Sequence, residues 1–220
     1  MRDIFIIGTG GVGKEVAFLI EEINKKNPIW NIVGFIDDNN EIKNSYINGY
    51  KVLGNIEYLK RNFNKANVII AIADYRIKKN ISEQLKDNFE FATLIHPDVN
   101  IHPTVKIGGG SIIYPGVIIT TNICIGNHVI ISPKCGIGHD AIINDYTSLL
   151  WNVNISGHNK IGTGCLIGSG ATIIQNKVVG DFSIIGAGSV VIKDIKDCTI
   201  NVGVPTREVK NEKGIICNNS

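Results

Sequence analysis

The stretch GIGHDAIINDYTSLLWNVNISGHNKIGTGCLIGSGATII, residues 136–174, decides how the chain is read. An aliphatic residue returns at every sixth position: Ile137, Ile143, Leu149, Ile155, Ile161, Ile167 and Ile173. Followed outward in both directions, the series runs from Ile95 to Val191 without an insertion or slip, and Asp197 ends it. Two residues before the aliphatic position stands a small or β-branched residue, as at Ser111, Cys135, Ala141, Thr147, Cys165, Ala171, Ser183 and Ser189. Glycine often follows it, as at Gly108, Gly126, Gly138 and Gly162. A helix would repeat at 3.6 residues and an ordinary strand at two. A period of six implies very short strands separated by tight corners, each strand aiming one large aliphatic side chain inward. Three such strands close a triangular coil of 18 residues, and coils stack at the strand spacing of roughly 4.8 Å. The expected fold is a left-handed parallel β-helix. A β-sandwich with Ile-rich strands would lose the register in its variable loops.

Upstream the pattern changes. Ile4 to Ile7 reads as a buried strand, followed by a glycine loop and a helix from Lys14 to Asn24 with apolar Val16, Leu19, Ile20 and Ile23. Ile32 to Ile36 is a second strand ending in Asp37-Asp38, Val68 to Ala73 a third, and Ile77 to Leu85 has helical spacing. This alternation predicts a small Rossmann-like parallel sheet of about four strands with helices on its faces. The chain therefore divides into an α/β domain over residues 1–94, a β-helix over 95–209 and a tail over 210–220.

Composition bounds the function. Of 220 residues, 44% are hydrophobic and 19% charged, enough for a core and against disorder. The net charge of +2 is spread along the chain, unlike the clustered Lys and Arg of a nucleic-acid footprint. No uncharged apolar run approaches the roughly 18 residues of a membrane span. Met1 to Gly8 reads as a strand rather than an export leader. The five cysteines are odd in number and lack a C-x-x-C pair, which suits a reducing cytoplasm and neither a disulfide framework nor a zinc site.

Two motifs carry chemistry. Gly8, Gly10 and Gly13 satisfy G-x-G-x-x-G between a strand and a helix, with Asp37 further along at the end of the second strand. Those are the formal requirements of a dinucleotide fingerprint, but about four strands leave too little of a second mononucleotide half. Of the five histidines, only His139 occupies a persuasive place, two residues after inward-facing Ile137 and directly before Asp140. Gly157 follows it by one whole coil, so it stacks beside that corner, where its N–H could reach an oxyanion. His158 reads as a solvated rim residue. His96, His102 and His128 fall at corners without an acidic cluster, so no metal site is expected. Cys135 and Cys165 occupy the small-residue position and read as corner packing.

The chain resembles the two-domain hexapeptide-repeat acyltransferases of bacterial surface-sugar synthesis, the nucleotide-amino-sugar N-acetyltransferases and sialic acid O-acetyltransferases. The likeness rests on Gly8-Thr9-Gly10-Gly11-Val12-Gly13, Phe35-Ile36-Asp37-Asp38, Leu94-Ile95-His96-Pro97, Gly138-His139-Asp140 and Val202-Gly203-Val204-Pro205. It implies an acetyl-CoA-dependent N-acetyltransferase acting on a nucleotide-linked amino sugar, with His139 as general base, Asp140 as its orienter and the Gly157 amide at the oxyanion. It also implies nucleotide-sugar contacts at Gly10, Gly11, Val12, Asp37 and Asp38. Relatives often carry His where this chain has Val12. Coenzyme A is implied along a groove between two packed β-helices, touching the backbone at Ser169 and Ala187, with Arg207 near a phosphate. Ser148 stands where relatives often have a second His on the acetyl-donor side. O-acetylation of a sialic acid is the close alternative; a non-catalytic nucleotide-binding scaffold is the alternative of another class. Outward Ile112, Val117, Ile118, Ile130 and Leu150 need cover, which together with the implied groove predicts a homotrimer.

Overall fold

The structure, a computed structural model, describes residues 1–211. It falls into two compact units, Met1–Pro97 and a second beginning at Asp98.

The first unit is built around β1 (Arg2–Ile7), whose Ile4, Phe5, Ile6 and Ile7 are buried. Such an unbroken apolar run is what a parallel strand covered on both faces requires. After β1 come α1 (Gly11–Lys26), β2 (Trp30–Ile36), β3 (Tyr46–Ile47), β4 (Tyr50–Gly54), α2 (Ile56–Asn62), β5 (Asn67–Ile70), α3 (Tyr75–Leu85) and β6 (Glu90–Phe91). The sheet order is β3-β4-β2-β1-β5-β6, parallel throughout except for the antiparallel β3–β4 pair. It is larger than the four strands expected. The two unforeseen elements are α2 and the β3–β4 hairpin, whose Asn48-Gly49 turn takes φ of 50° and 84°, the positive pair that favours an Asn-Gly hairpin. Helix α1 buries Val16, Ala17, Leu19, Ile20 and Ile23 along one stripe. A Cβ on Gly13 would fall 2.0 Å from the Gly8 carbonyl oxygen. Only glycine lets the helix seat so close to the loop that precedes it.

The second unit is the three-sided parallel β-helix that the six-residue period demands. Its strands are two residues long except for the last two. The first sheet stacks Ile118–Ile119, Gly136–Ile137, Asn154–Ile155, Thr172–Ile173 and Val190–Val191. The second stacks Lys106–Ile107, Cys124–Ile125, Ile142–Ile143, Lys160–Ile161 and Val178–Val179. The third runs through Ile112–Ile113, Ile130–Ile131, Ser148–Leu149, Leu166–Ile167 and Ile184–Ile185 to Thr199–Val202, and ends with antiparallel Arg207–Asn211. From Lys106 to Val191 the strands pair 18 positions apart, as in Ile137↔Ile155 and Ile143↔Ile161, and the last coil is shorter, with Ile184 paired to Ile200. From Ile113 to Val191 the inward residues are all buried, and so are the small residues at the corners from Ser111 to Ser189. Ile101 and Ile107, in the end coil, are half-buried.

Some sequence-based expectations change. Ile112, Ile130 and Val117 are buried within the chain, whereas Ile118 is 67% exposed. Exposed aliphatics gather instead on the first sheet, where Ile174 and Ile192 join Ile118. The last strand reaches Asn211, and the rest of the tail expected over 210–220 lies outside the described residues. Among the described residues, Cys124, Cys135 and Cys165 are free thiols. Among the described residues no helix is long and apolar enough to cross a membrane.

The alternation of faces gives a direct test. Ile161 is fully buried and its neighbour Lys160 exposed. Ile161→Ala should cost about 2–5 kcal/mol of unfolding free energy, and Lys160→Ala less than about 0.5 kcal/mol, as read by urea titration. Equal effects would contradict the inward-outward assignment.

Candidate functional site

The corner between the first and second sheets recurs every 18 residues. Its middle position, held by Asn122, Asp140, His158 and Asn176, adopts a left-handed backbone with φ between 58° and 60°. Asn, Asp and His tolerate this conformation better than other non-glycine residues. The bend lets two adjacent side chains converge, which a plain strand forbids. His139 Nδ1 lies 2.8 Å from Asp140 Oδ2. From the preceding coil, Asn122 Nδ2 donates to Asp140 Oδ1 at 3.3 Å. The hydrogen bond from His139 holds the Asp140 carboxyl below the ordinary carboxylate range, aided by Asn122 and by nearby His158.

The next coil completes the corner. A Cβ on Gly157 would stand 2.7 Å from Nε2 and Cε1 of His139, so the imidazole lies directly across the glycine backbone. Among the described residues no acceptor takes the Gly157 N–H. His158 donates its backbone N–H to the His139 carbonyl at 2.9 Å. Its ring meets the His139 ring edge-on, with centroids 4.9 Å apart, and its Nε2 is 3.8 Å from Asp140 Oδ2. His158, read from the sequence as a rim residue, is therefore part of this cluster. The signal that would have found it is arithmetic: it lies one coil after Asp140.

The other residues expected around coenzyme A stand elsewhere in the chain. Ser169 and Ala187 are exposed at the corner between the third and first sheets, in one column with exposed Trp151. Among the described residues their N–H groups, too, have no acceptor. Ser148 is buried on the third sheet, and Arg207 is exposed on the last strand. The first sheet thus spans from the His139 corner to the Ser169 corner, and a single chain does not bring the two together. A cavity of about 510 Å³ opens on this sheet beside Ile118 and Thr121. His96 and His128 are buried, and exposed His102 bonds Thr104. Burial pushes the Cys135 thiol up to about 11 and the Cys165 thiol up to about 12, which leaves both unreactive.

In the first unit a cavity of about 260 Å³ sits at the carboxyl ends of β1 and β2, lined by Gly8, Asp37, Asp38 and the six isoleucines Ile7, Ile36, Ile56, Ile72, Ile77 and Ile81. Open α/β sheets bind ligands at such strand ends. Gly10, Gly11 and Val12 do not line it. They form the start of α1, where no side chain caps the helix, and a Cβ on Gly10 or Gly11 would meet nothing within 4 Å. Asp37 ties the loop to β2: its Oδ2 accepts from the Thr9 N–H at 2.9 Å and hydroxyl at 2.6 Å, and its Oδ1 from the Asn39 N–H at 2.9 Å. Burial raises the Asp37 pKa, and these hydrogen bonds outweigh it to leave the carboxyl below its usual range. Asp38 Oδ1 accepts from Ile56 N–H at 3.2 Å.

An α/β unit followed by a left-handed β-helix with a His–Asp corner defines the two-domain hexapeptide-repeat acyltransferases. Residues 3–85 match the PglD N-terminal domain. The chain is 32% identical over 185 residues to the GDP-perosamine N-acetyltransferase of Escherichia coli O157:H7, covering 83% of this chain and 82% of that protein. It belongs to the nucleotide-amino-sugar acetyltransferase family. Among solved structures, the acetyltransferase domain of PglB from Neisseria gonorrhoeae FA1090, in complex with acetyl coenzyme A, is 27% identical with a TM-score of 0.85 over 94% of this chain and 99% of that one. PerB from Caulobacter crescentus, in complex with CoA and GDP-perosamine, is 25% identical with a TM-score of 0.84 over 96% and 98%.

Proposed function

We propose that this chain transfers the acetyl group of acetyl-CoA to the amino group of a nucleotide-activated amino-deoxy sugar, as a cytoplasmic homotrimer. The observation that carries the reading is the corner where the His139 imidazole, held by Asp140, lies across Gly157. The relative that acts on GDP-perosamine and the neighbours bound to coenzyme A support the choice of reactants. The neutral amine attacks the thioester carbonyl and a C–N bond forms. His139 Nε2 takes the amine proton, and Asp140 keeps the ring oriented and stabilises the imidazolium. The Gly157 N–H donates to the oxyanion. Collapse breaks the C–S bond, and the thiolate leaves with the proton that His139 returns. O-acetylation of a sialic acid would use the same groups. A mass-spectrometric screen of nucleotide amino sugars and sialic acids with acetyl-CoA separates the two.

In this reading residues 1–94 hold the nucleotide sugar and residues 95–209 do the chemistry. Backbone N–H groups at Gly10, Gly11 and Val12 face the phosphates at the start of α1, while Asp37 and Asp38 accept from hydroxyl or amide donors in the adjoining cavity. Main-chain groups at Ser169 and Ala187 meet the pantetheine arm, with Arg207 toward a phosphate. The buried position of Ser148 makes it a support for this groove rather than a side chain reaching into it. Because Ser169 and Ala187 stand at a different corner from His139, a second copy packed on the first sheet would supply them, and would cover Ile118, Ile174 and Ile192.

His139→Ala should lower kcat by about 10²–10⁴-fold with the fold retained. Gly157→Ala should lower it too, because its Cβ must push the imidazole aside. Near-wild-type kcat in both would overturn the assignment. Gly11→Leu, which has open space for its side chain, should raise KM for the nucleotide sugar and leave KM for acetyl-CoA unchanged; the reverse pattern would refute the division of labour. Light scattering should return three times the 23.9 kDa chain mass, and a fully active monomer would exclude the shared groove.

A further inference from the structure

The His139 corner presents more donor atoms than one proton acceptor requires. Among the described residues, His139, Asp140 and His158 form a group whose ligand atoms all lie within 4.8 Å of one another. We propose that these three residues form a site for Zn²⁺, and that its occupation switches the enzyme off. The binding half of this inference stands on geometry; the inhibitory half rests on His139 being the base.

Zinc in a tetrahedral site bonds nitrogen and oxygen at about 2.0–2.1 Å, which sets neighbouring ligand atoms about 3.3 Å apart. His139 Nδ1 and His158 Nε2 lie 2.8 Å and 3.8 Å from the same Asp140 oxygen, one on each side of that ideal. Shifts of half an ångström suffice, and the side chains have room for them, being 57%, 55% and 38% exposed for His139, His158 and Asp140. Two imidazoles and one carboxylate are a donor set that zinc accepts with water in the fourth position. The backbone preforms the arrangement. Asp140 and His158 occupy equivalent left-handed positions one coil apart, and His158 N–H is bonded to the His139 carbonyl. Asp140 supplies the carboxylate of that donor set, between the two imidazoles.

The inhibition follows from the tautomer. The bond to Asp140 assigns the ring hydrogen of neutral His139 to Nδ1, leaving the lone pair on Nε2. A cation that takes Nδ1 displaces that hydrogen, and in a neutral ring it moves through solvent to Nε2. The atom that must accept the amine proton then has no lone pair. No bond of the fold is broken.

Calorimetric titration of the full-length protein with zinc chloride, in a buffer free of chelators and thiols, tests the site. A single zinc per chain is expected. His158→Ala should weaken binding by at least the cost of losing an outer-shell partner, about 10–100-fold, while Cys124→Ser, which removes an exposed free thiol, should leave it unchanged. Acetyl transfer followed by mass spectrometry should fall in step with calorimetric saturation, and the inhibition curve of His158→Ala should shift by the same factor as its affinity. Absence of saturable binding, or binding indifferent to His158→Ala, overturns the site. Binding that depends on His158 while transfer continues at saturation overturns the inhibitory half and the role of His139 Nε2 with it. If His139→Ala abolishes turnover and zinc does not bind, the proposed reaction stands and this inference falls.

Discussion

Successive coils of the β-helix are tied by a recurring backbone hydrogen bond, in which Gly126, Gly138 and Gly162 donate at 2.8 Å to the carbonyls of Ile143, Ile155 and Val179. Each bond joins a residue to one 17 positions later, and with its neighbours it fixes the coil at 18 residues. That ladder converts sequence spacing into spatial stacking. It puts Ile137 under Ile155, and it puts Gly157 where the ring of His139 can lie on it. Every feature of the His139 corner inherits its position from this constraint.

The constraint also separates stability from chemistry. Inward positions accept only aliphatic residues, because the prism is narrow and each coil must match the volume of the next. Corners are set by backbone, not by side-chain volume. A left-handed residue there costs little when it is Asn, Asp or His. The corner can therefore carry a titratable pair without disturbing the core, and its exposed side leaves room for two large reactants. The α/β unit achieves its own ligand-facing edge differently, by ending parallel strands β1 and β2 around Gly8, Asp37 and Asp38.

Much of this was legible from residue spacing. The six-residue period specified the coils, the small corner positions and the inward column, because no other architecture repeats at that interval over so long a run. The family likeness drew attention to His139, Asp140 and Gly157, and the structure brings those three together. The legibility ended where neighbours are not set by the period. The burial of Ile112, Ile130 and Ser148 on the outward side of the third sheet is not encoded by a repeat pattern. Helix α2 is only seven residues long and gives too few turns for a periodic signal. The β3–β4 hairpin was marked by Asn48-Gly49, a turn signal readable from the outset. His158 was also readable, by stepping one coil from Asp140 as well as from His139.

The fixed span of the ladder bears on how such a chain can change length. Loss or gain of one residue between Gly138 and Ser156 would rotate every later side chain away from its column and separate His139 from Gly157. Duplication of a whole coil beyond Asn176 would do neither: it would lengthen the prism by roughly 4.8 Å and carry the last strands outward as a block. Length in this architecture is thus quantised, and the His139 corner is blind to how many coils follow it.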